Sequence, residues 1–136
     1  MPDKETLNFV LSRGKQYTPA LLPSHISRGA MGKCFDNCMV RAMLDPNLKY
    51  VEGVVMTATK QKWILHAWLT DGVHAYDPTW YCLNKEKKER PVPGIYIGIE
   101  MELKKVAKFV SVTEYASVLA NRWRNEALAA EALQLC

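Results

Sequence analysis

Apolar and polar positions divide this chain into a helix, a wrapping loop, a second helix, a run of strands and a closing helical stretch. Residues 4–13 (KETLNFVLSR) read as a short helix stopped by Gly14. Residues 15–31 carry Pro19, Pro23 and Gly29, and a loop around the body is expected there. A second helix opens at Gly32-Lys33-Cys34 and runs through Leu44 on Ala, Met, Val and Leu, with Asp45-Pro46 as its stop. Strands are expected at 50–57 (YVEGVVMT) and 63–70 (WILHAWLT). Asp71-Gly72 is a hairpin-turn signal leading to a third strand at 73–77 (VHAYD), which Pro78 ends. Residues 84–93 read as an exposed connection and 94–102 (GIYIGIEME) as a fourth strand. Ser111, with Glu114 three places on, has the form of a capping box. The Ala-, Leu-, Glu- and Arg-rich stretch from there to about Leu135 is expected to be helix, with room for one break. The sum is an α+β domain: a helix packed on a small antiparallel sheet, followed by a C-terminal helix, in one unit over residues 1–136.

Composition changes this picture little. With 49% hydrophobic and 24% charged residues in 136, the chain can bury a core and has the charge of an ordinary globular domain. Its apolar runs fall well short of the roughly 20 residues that cross a bilayer. The polar start, MPDKETLNFVLSRGK, lacks the apolar middle of a secretory signal, so residence in the cytoplasm is expected, with no membrane partner. The net charge of +4 is mild, and the one dense run, Lys85-Glu86-Lys87-Lys88-Glu89-Arg90, is interrupted by acids. That pattern reads as a solvated loop, and no nucleic-acid partner is expected.

Four cysteines (Cys34, Cys38, Cys82 and Cys136) are expected as free thiols in such a compartment. Cys82 and Cys136 read as a small apolar group and a chain-end residue. Cys34 differs because it stands at a helix start. A helix N-terminus carries partial positive charge and unpaired N–H groups, which favour a thiolate and can hold an oxyanion. Downstream, His66 lies in one expected strand and Asp77 near the end of the next. His66 is five residues before Asp71 and Asp77 five after Gly72, so a two-residue turn sets them opposite one another on one face. Histidine can take a thiol proton and return it to a leaving group, and a carboxylate can fix its tautomer. The competing histidine, His74, is too near the turn and, three residues from Asp77, on the other face.

The strings GKCFDNC, YVEGVV, WILHAWL and YDPTW, in this order over residues 32–80, resemble the core of papain-like and transglutaminase-like cysteine enzymes. The resemblance implies Cys34 as nucleophile, His66 as base and Asp77 as orienting acid. It further implies attack on amide bonds through a thioester, by a peptidase, deamidase or transglutaminase type of reaction, with a protein or peptide as substrate. The chain departs from the papain pattern in having no glutamine among Arg28-Gly29-Ala30-Met31-Gly32-Lys33. Gln16 lies farther upstream, and the Cys34 backbone N–H is the one donor the pattern supplies for an oxyanion.

Other readings stand beside this one. Glu52, in an apolar strand, either faces solvent or lines a cleft, and Trp68 and Trp80 form either core or pocket wall. These three are the candidate substrate-binding residues. Cys34 and Cys38, four apart on one helical face, could hold a metal or form a redox pair. A structural zinc site would need a second ligand pair, so neither metal nor cofactor is expected. A catalytically silent binding module of the same fold, sequestering a protein partner, is the alternative of a different class.

Overall fold

The computed structural model describes residues 2–58, 61–80 and 93–134. Cys82, Cys136, the charged run at 85–90 and nearly all of the expected connection at 84–93 lie outside them. Helix α1 (Lys4–Arg13) begins at Asp3, whose side chain accepts from the Thr6 amide at 2.7 Å, and ends at Gly14. Strand β1 follows at Lys15–Ala20, helix α2 at Cys34–Leu44, and strands β2 to β5 at Lys49–Thr57, Trp63–Thr70, His74–Tyr76 and Pro93–Met101. Helix α3 (Leu103–Thr113), 3₁₀ turns over Leu119–Arg124 and helix α4 (Glu126–Ala132) complete the order. None of the described helices is long and apolar enough to cross a membrane.

The α+β class holds, but the expected small antiparallel sheet closes into a five-stranded barrel in the order β1-β4-β3-β2-β5. Closure is made by β1, where a loop was expected. Its first half pairs antiparallel with β5 (Lys15↔Gly98 to Tyr17↔Tyr96) and its second half parallel with β4 (Thr18↔His74 to Ala20↔Tyr76). Pro19 fits this strand for a simple reason. The Thr18 amide donates toward Val73 beside β4, so the next backbone nitrogen faces the β5 flank, where pairing has already ended at Tyr17.

Inside the barrel, Tyr17, Val51, Val55, Trp68, Ala75, Trp80 and Tyr96 form one cluster. Gly53 and Gly98 face each other across β2 and β5 beneath the Trp68 indole. A Cβ at Gly98 would stand 2.6 Å from Val51 Cγ1 and 2.7 Å from the indole, and one at Gly53 would meet the backbone of Ile97 and Gly98. These strands are therefore bare where the largest side chain of the interior lies. Tyr50, Val54, Ala67, Leu69 and Met101 belong instead to a larger core with Val10, Cys38, Ala42, Val106 and Phe109 from the helices.

The C-terminal part is corrected most. Ser111 does not start a helix; it lies in the last turn of α3, which begins at Leu103 and ends at Glu114 with φ 66°. The chain then breaks because of a residue far away in sequence. Glu52 of β2 accepts from Ser117 Oγ at 2.9 Å, from the amides of Val118 and Leu119 at 3.1 and 3.0 Å, and from Tyr50 Oη at 2.8 Å. A buried carboxylate thus satisfies the first amides of the 3₁₀ turns. Asn125 then caps α4 by accepting from the Leu128 amide at 3.1 Å.

Candidate active site

The hairpin between β3 and β4 is longer than a two-residue turn. The Asp71 carboxylate accepts from the amides of Val73 and His74 at 2.9 and 2.8 Å and from Tyr76 Oη at 3.0 Å, which draws Asp71, Gly72 and Val73 into the loop. The strands pair as Thr70↔Ala75 and Leu69↔Tyr76, and there the ladder stops. Continued by count, this register would put His66 opposite Thr79, two positions beyond Asp77. The expected direct opposition is therefore wrong by two. A shift of two keeps every side chain on its face, whereas a shift of one would have separated the pair. His66 Nε2 lies 2.8 Å from Asp77 Oδ2, a diagonal contact made where the two strands part.

Asp77 is fully buried and receives four hydrogen bonds. Oδ2 accepts from His66 and from Tyr96 Oη at 2.6 Å, while Oδ1 accepts from the amides of Thr79 at 3.0 Å and Trp80 at 2.9 Å. Burial pushes this carboxyl up, but the His66 charge and these donors outweigh it and hold its pKa below 3.8. An ionised carboxylate can only accept, so the His66 proton on this side sits on Nε2. Cys34 lies near enough to the imidazole to help raise its pKa, and with Nε2 on Asp77 the nitrogen left to face the thiol is Nδ1. Burial pushes the imidazole pKa down. The Asp77 charge and hydrogen bond, with the Cys34 contact, overcome this and raise it from 6.5 to about 9.

Trp80 stacks on the His66 ring with centroids 3.9 Å apart and 18° between planes. His66 is 2% exposed and Trp80 7%, so the ring is shielded from water. Cys34 is half-buried and is the first residue of α2. Lys33 gives that helix no side-chain cap, so its first-turn amides, beginning with that of Cys34, have no acceptor within the helix. Gln16 is exposed in β1 opposite Ile97.

Cys34, His66 and Asp77 thus come together. Trp80 joins them, but against the imidazole. Two expected substrate contacts are corrected. Glu52 is fully buried with its oxygens taken by four donors, because it anchors residues 117–119. Trp68 is fully buried in the barrel, and its indole N–H has no hydrogen-bond partner among the described residues. His74 pairs with Asp71 at 2.9 Å near the turn. Tyr96 was missed from sequence: its alternation in β5 marks an inward residue, but nothing local aims its hydroxyl at Asp77. Among the described residues no group of three His, Cys, Asp and Glu side chains is arranged to hold a metal. Compared with protein-family models, curated proteins and solved structures, the chain gives no match.

Proposed function

We propose that this protein is a cysteine-nucleophile enzyme acting on amide bonds. The observation that carries this reading is one buried imidazole, held through Nε2 at 2.8 Å from Asp77, with Cys34 at the start of α2 beside it. With its pKa raised to about 9, His66 holds its proton at neutral pH, and Cys34 attacks the carbonyl carbon as the thiolate paired with that imidazolium. The carbonyl oxygen gains negative charge, and the uncapped first-turn amides of α2 are the donors that would stabilise it. As the C–N bond breaks, His66 passes its proton to the departing amine, leaving a thioester on Cys34. Water then releases an acid, giving peptidase or deamidase chemistry, or a second amine takes the acyl group, giving transamidation. Asp77 keeps the imidazole in the tautomer that presents Nδ1 to sulfur and offsets the charge it acquires. A protein or peptide is the substrate class that goes with this chemistry.

The test is incubation with an electrophilic acyl probe followed by mass spectrometry. A single adduct on Cys34, lost in Cys34→Ala and strongly reduced in His66→Ala, is expected. A native protein in which Cys34 takes up no probe would leave the catalytically silent binding module as the better reading.

A further inference from the structure

The buried amide of Asn37 occupies an unusual place. It lies three residues after Cys34 on α2, and residues three apart share a helix face. Its Nδ2 donates one hydrogen to the Ala30 carbonyl at 2.8 Å, in the segment before Cys34, and the other to Thr79 Oγ1 at 2.8 Å. Thr79 is 1% exposed, and its own backbone N–H donates to Asp77 Oδ1 at 3.0 Å. The contacts therefore close a ring: Cys34, one turn of helix to Asn37, across to Thr79, on to Asp77, through His66 and back to Cys34. Gly29 completes the packing. Its amide donates to the Pro78 carbonyl at 2.7 Å, and a Cβ there would collide with the Asn37 amide.

We infer that Asn37 and Thr79 are positioning residues, whose contact holds the helix that begins at Cys34 against the loop that carries Asp77 and so sets the reach from sulfur to imidazole. This rests on the proposed function. Cys34 and the His66–Asp77 pair come from elements joined by no ladder: α2 lies beside the barrel, and β3 and β4 have stopped pairing before His66 and Asp77. Apolar packing alone has no direction and tolerates sliding, whereas two short hydrogen bonds from one amide fix both distance and rotation. An error of about 1 Å at a reacting pair can cost about a hundredfold in rate.

The experiment follows Cys34 modification by iodoacetamide from pH 5 to 10, with melting temperature alongside. The variants are Thr79→Val, which keeps shape and backbone N–H but removes the acceptor, Thr79→Ser, which restores it, Asn37→Ala, and the double variant Asn37→Ala/Thr79→Val. Thr79→Val is expected to fold, to react at pH 7 about tenfold more slowly than the native protein, and to show a changed pH profile; Thr79→Ser stays within about twofold of native. The double variant should lose no more than the larger single loss, because both changes break one contact. Should Thr79→Val not fold, Thr79→Ala and Asn37→Ser make the same comparison. A variant that melts earlier yet keeps the native rate and pH profile overturns the inference and leaves the proposed function standing. A native Cys34 that reacts no faster than in the unfolded chain overturns both.

Discussion

Asp77→Asn is the sharpest perturbation of the site, because it keeps the shape and removes only the charge. The position of each new atom follows from the present donors. Oδ1 accepts from two backbone amides, which cannot turn away, so the asparagine oxygen must take that place. Its NH₂ then replaces Oδ2, between Tyr96 Oη and His66 Nε2. The tyrosine hydroxyl can rotate to accept. The imidazole can meet a donor at Nε2 only by moving its proton to Nδ1, the nitrogen left for Cys34. A protonated Nδ1 takes no proton from the thiol. The energetics agree with the geometry. Raising His66 from 6.5 to about 9 is worth ~3 kcal/mol of preference for imidazolium at 1.36 kcal/mol per unit. Burial acts downward, so without the Asp77 charge the imidazole should titrate below 6.5. Proton NMR of the imidazole Cε1–H signals between pH 4 and 10, with His66→Gln assigning one of the three histidines, reads the shift. In the same samples Cys34 acylation at pH 7.5 should fall about 300-fold, the equivalent of 2.5 units. An Asp77→Asn imidazole still titrating near 9, or acylation within about threefold of native, would refute this reasoning.

The same pair ties stability to pH. His66, raised from 6.5, gives stability that is complete below 6.5 and is lost as pH rises through about 9; Asp77, lowered from 3.8, gives stability present above 3.8 and lost as pH falls through its folded value. Calorimetry should therefore show the melting temperature falling by roughly 10 °C between pH 6.5 and 9.5 in the native protein and staying nearly flat in Asp77→Asn. Glu52→Leu should lower stability by about 3–5 kcal/mol in urea unfolding, because the amides of Val118 and Leu119 and the Ser117 hydroxyl lose a buried acceptor together; a loss under about 1 kcal/mol would deny the anchor. With Cys82 and Cys136 changed to serine, brief iodoacetamide treatment of the folded protein should label Cys34 and spare Cys38, as read from peptide masses; equal labelling would contradict their placement.

What the sequence revealed and what it hid divide along one physical line. Helix α2 was legible because its start, its apolar content and its Asp-Pro stop are all local. The His66–Asp77 pair was legible even with a register wrong by two, since side-chain alternation repeats every two residues and a turn signal lay between the strands. Strand β1 was hidden because Pro19 reads as a breaker unless one knows that its nitrogen faces a flank without a partner. The end of α3 was hidden for the opposite reason. Ser111 and Glu114 satisfy a local capping rule, but Leu103, Val106, Phe109 and Val110 form the apolar face packed on the core, and Glu52, some 65 positions away, decides where the chain turns.

The two cysteines of α2 show how far such reasoning reaches. Four residues apart, they share a helix face, and the sequence allowed them to act as a metal pair, a redox pair or a nucleophile with a neighbour. The fold separates them by depth. Cys38 is wholly buried under the barrel wall, where burial and then the charge of Asp77 push its thiol pKa well above the ordinary value. That thiol keeps its proton and packs as an apolar group. Cys34 is one turn nearer the helix start, half-buried, and in contact with an imidazole that the same Asp77 makes basic. One carboxylate therefore meets the two sulfurs by different routes. It reaches Cys34 through His66, and reaches Cys38 as a negative charge with no imidazole between them. The Asn37–Thr79 contact, on the same helix face, holds α2 at the depth where this difference exists.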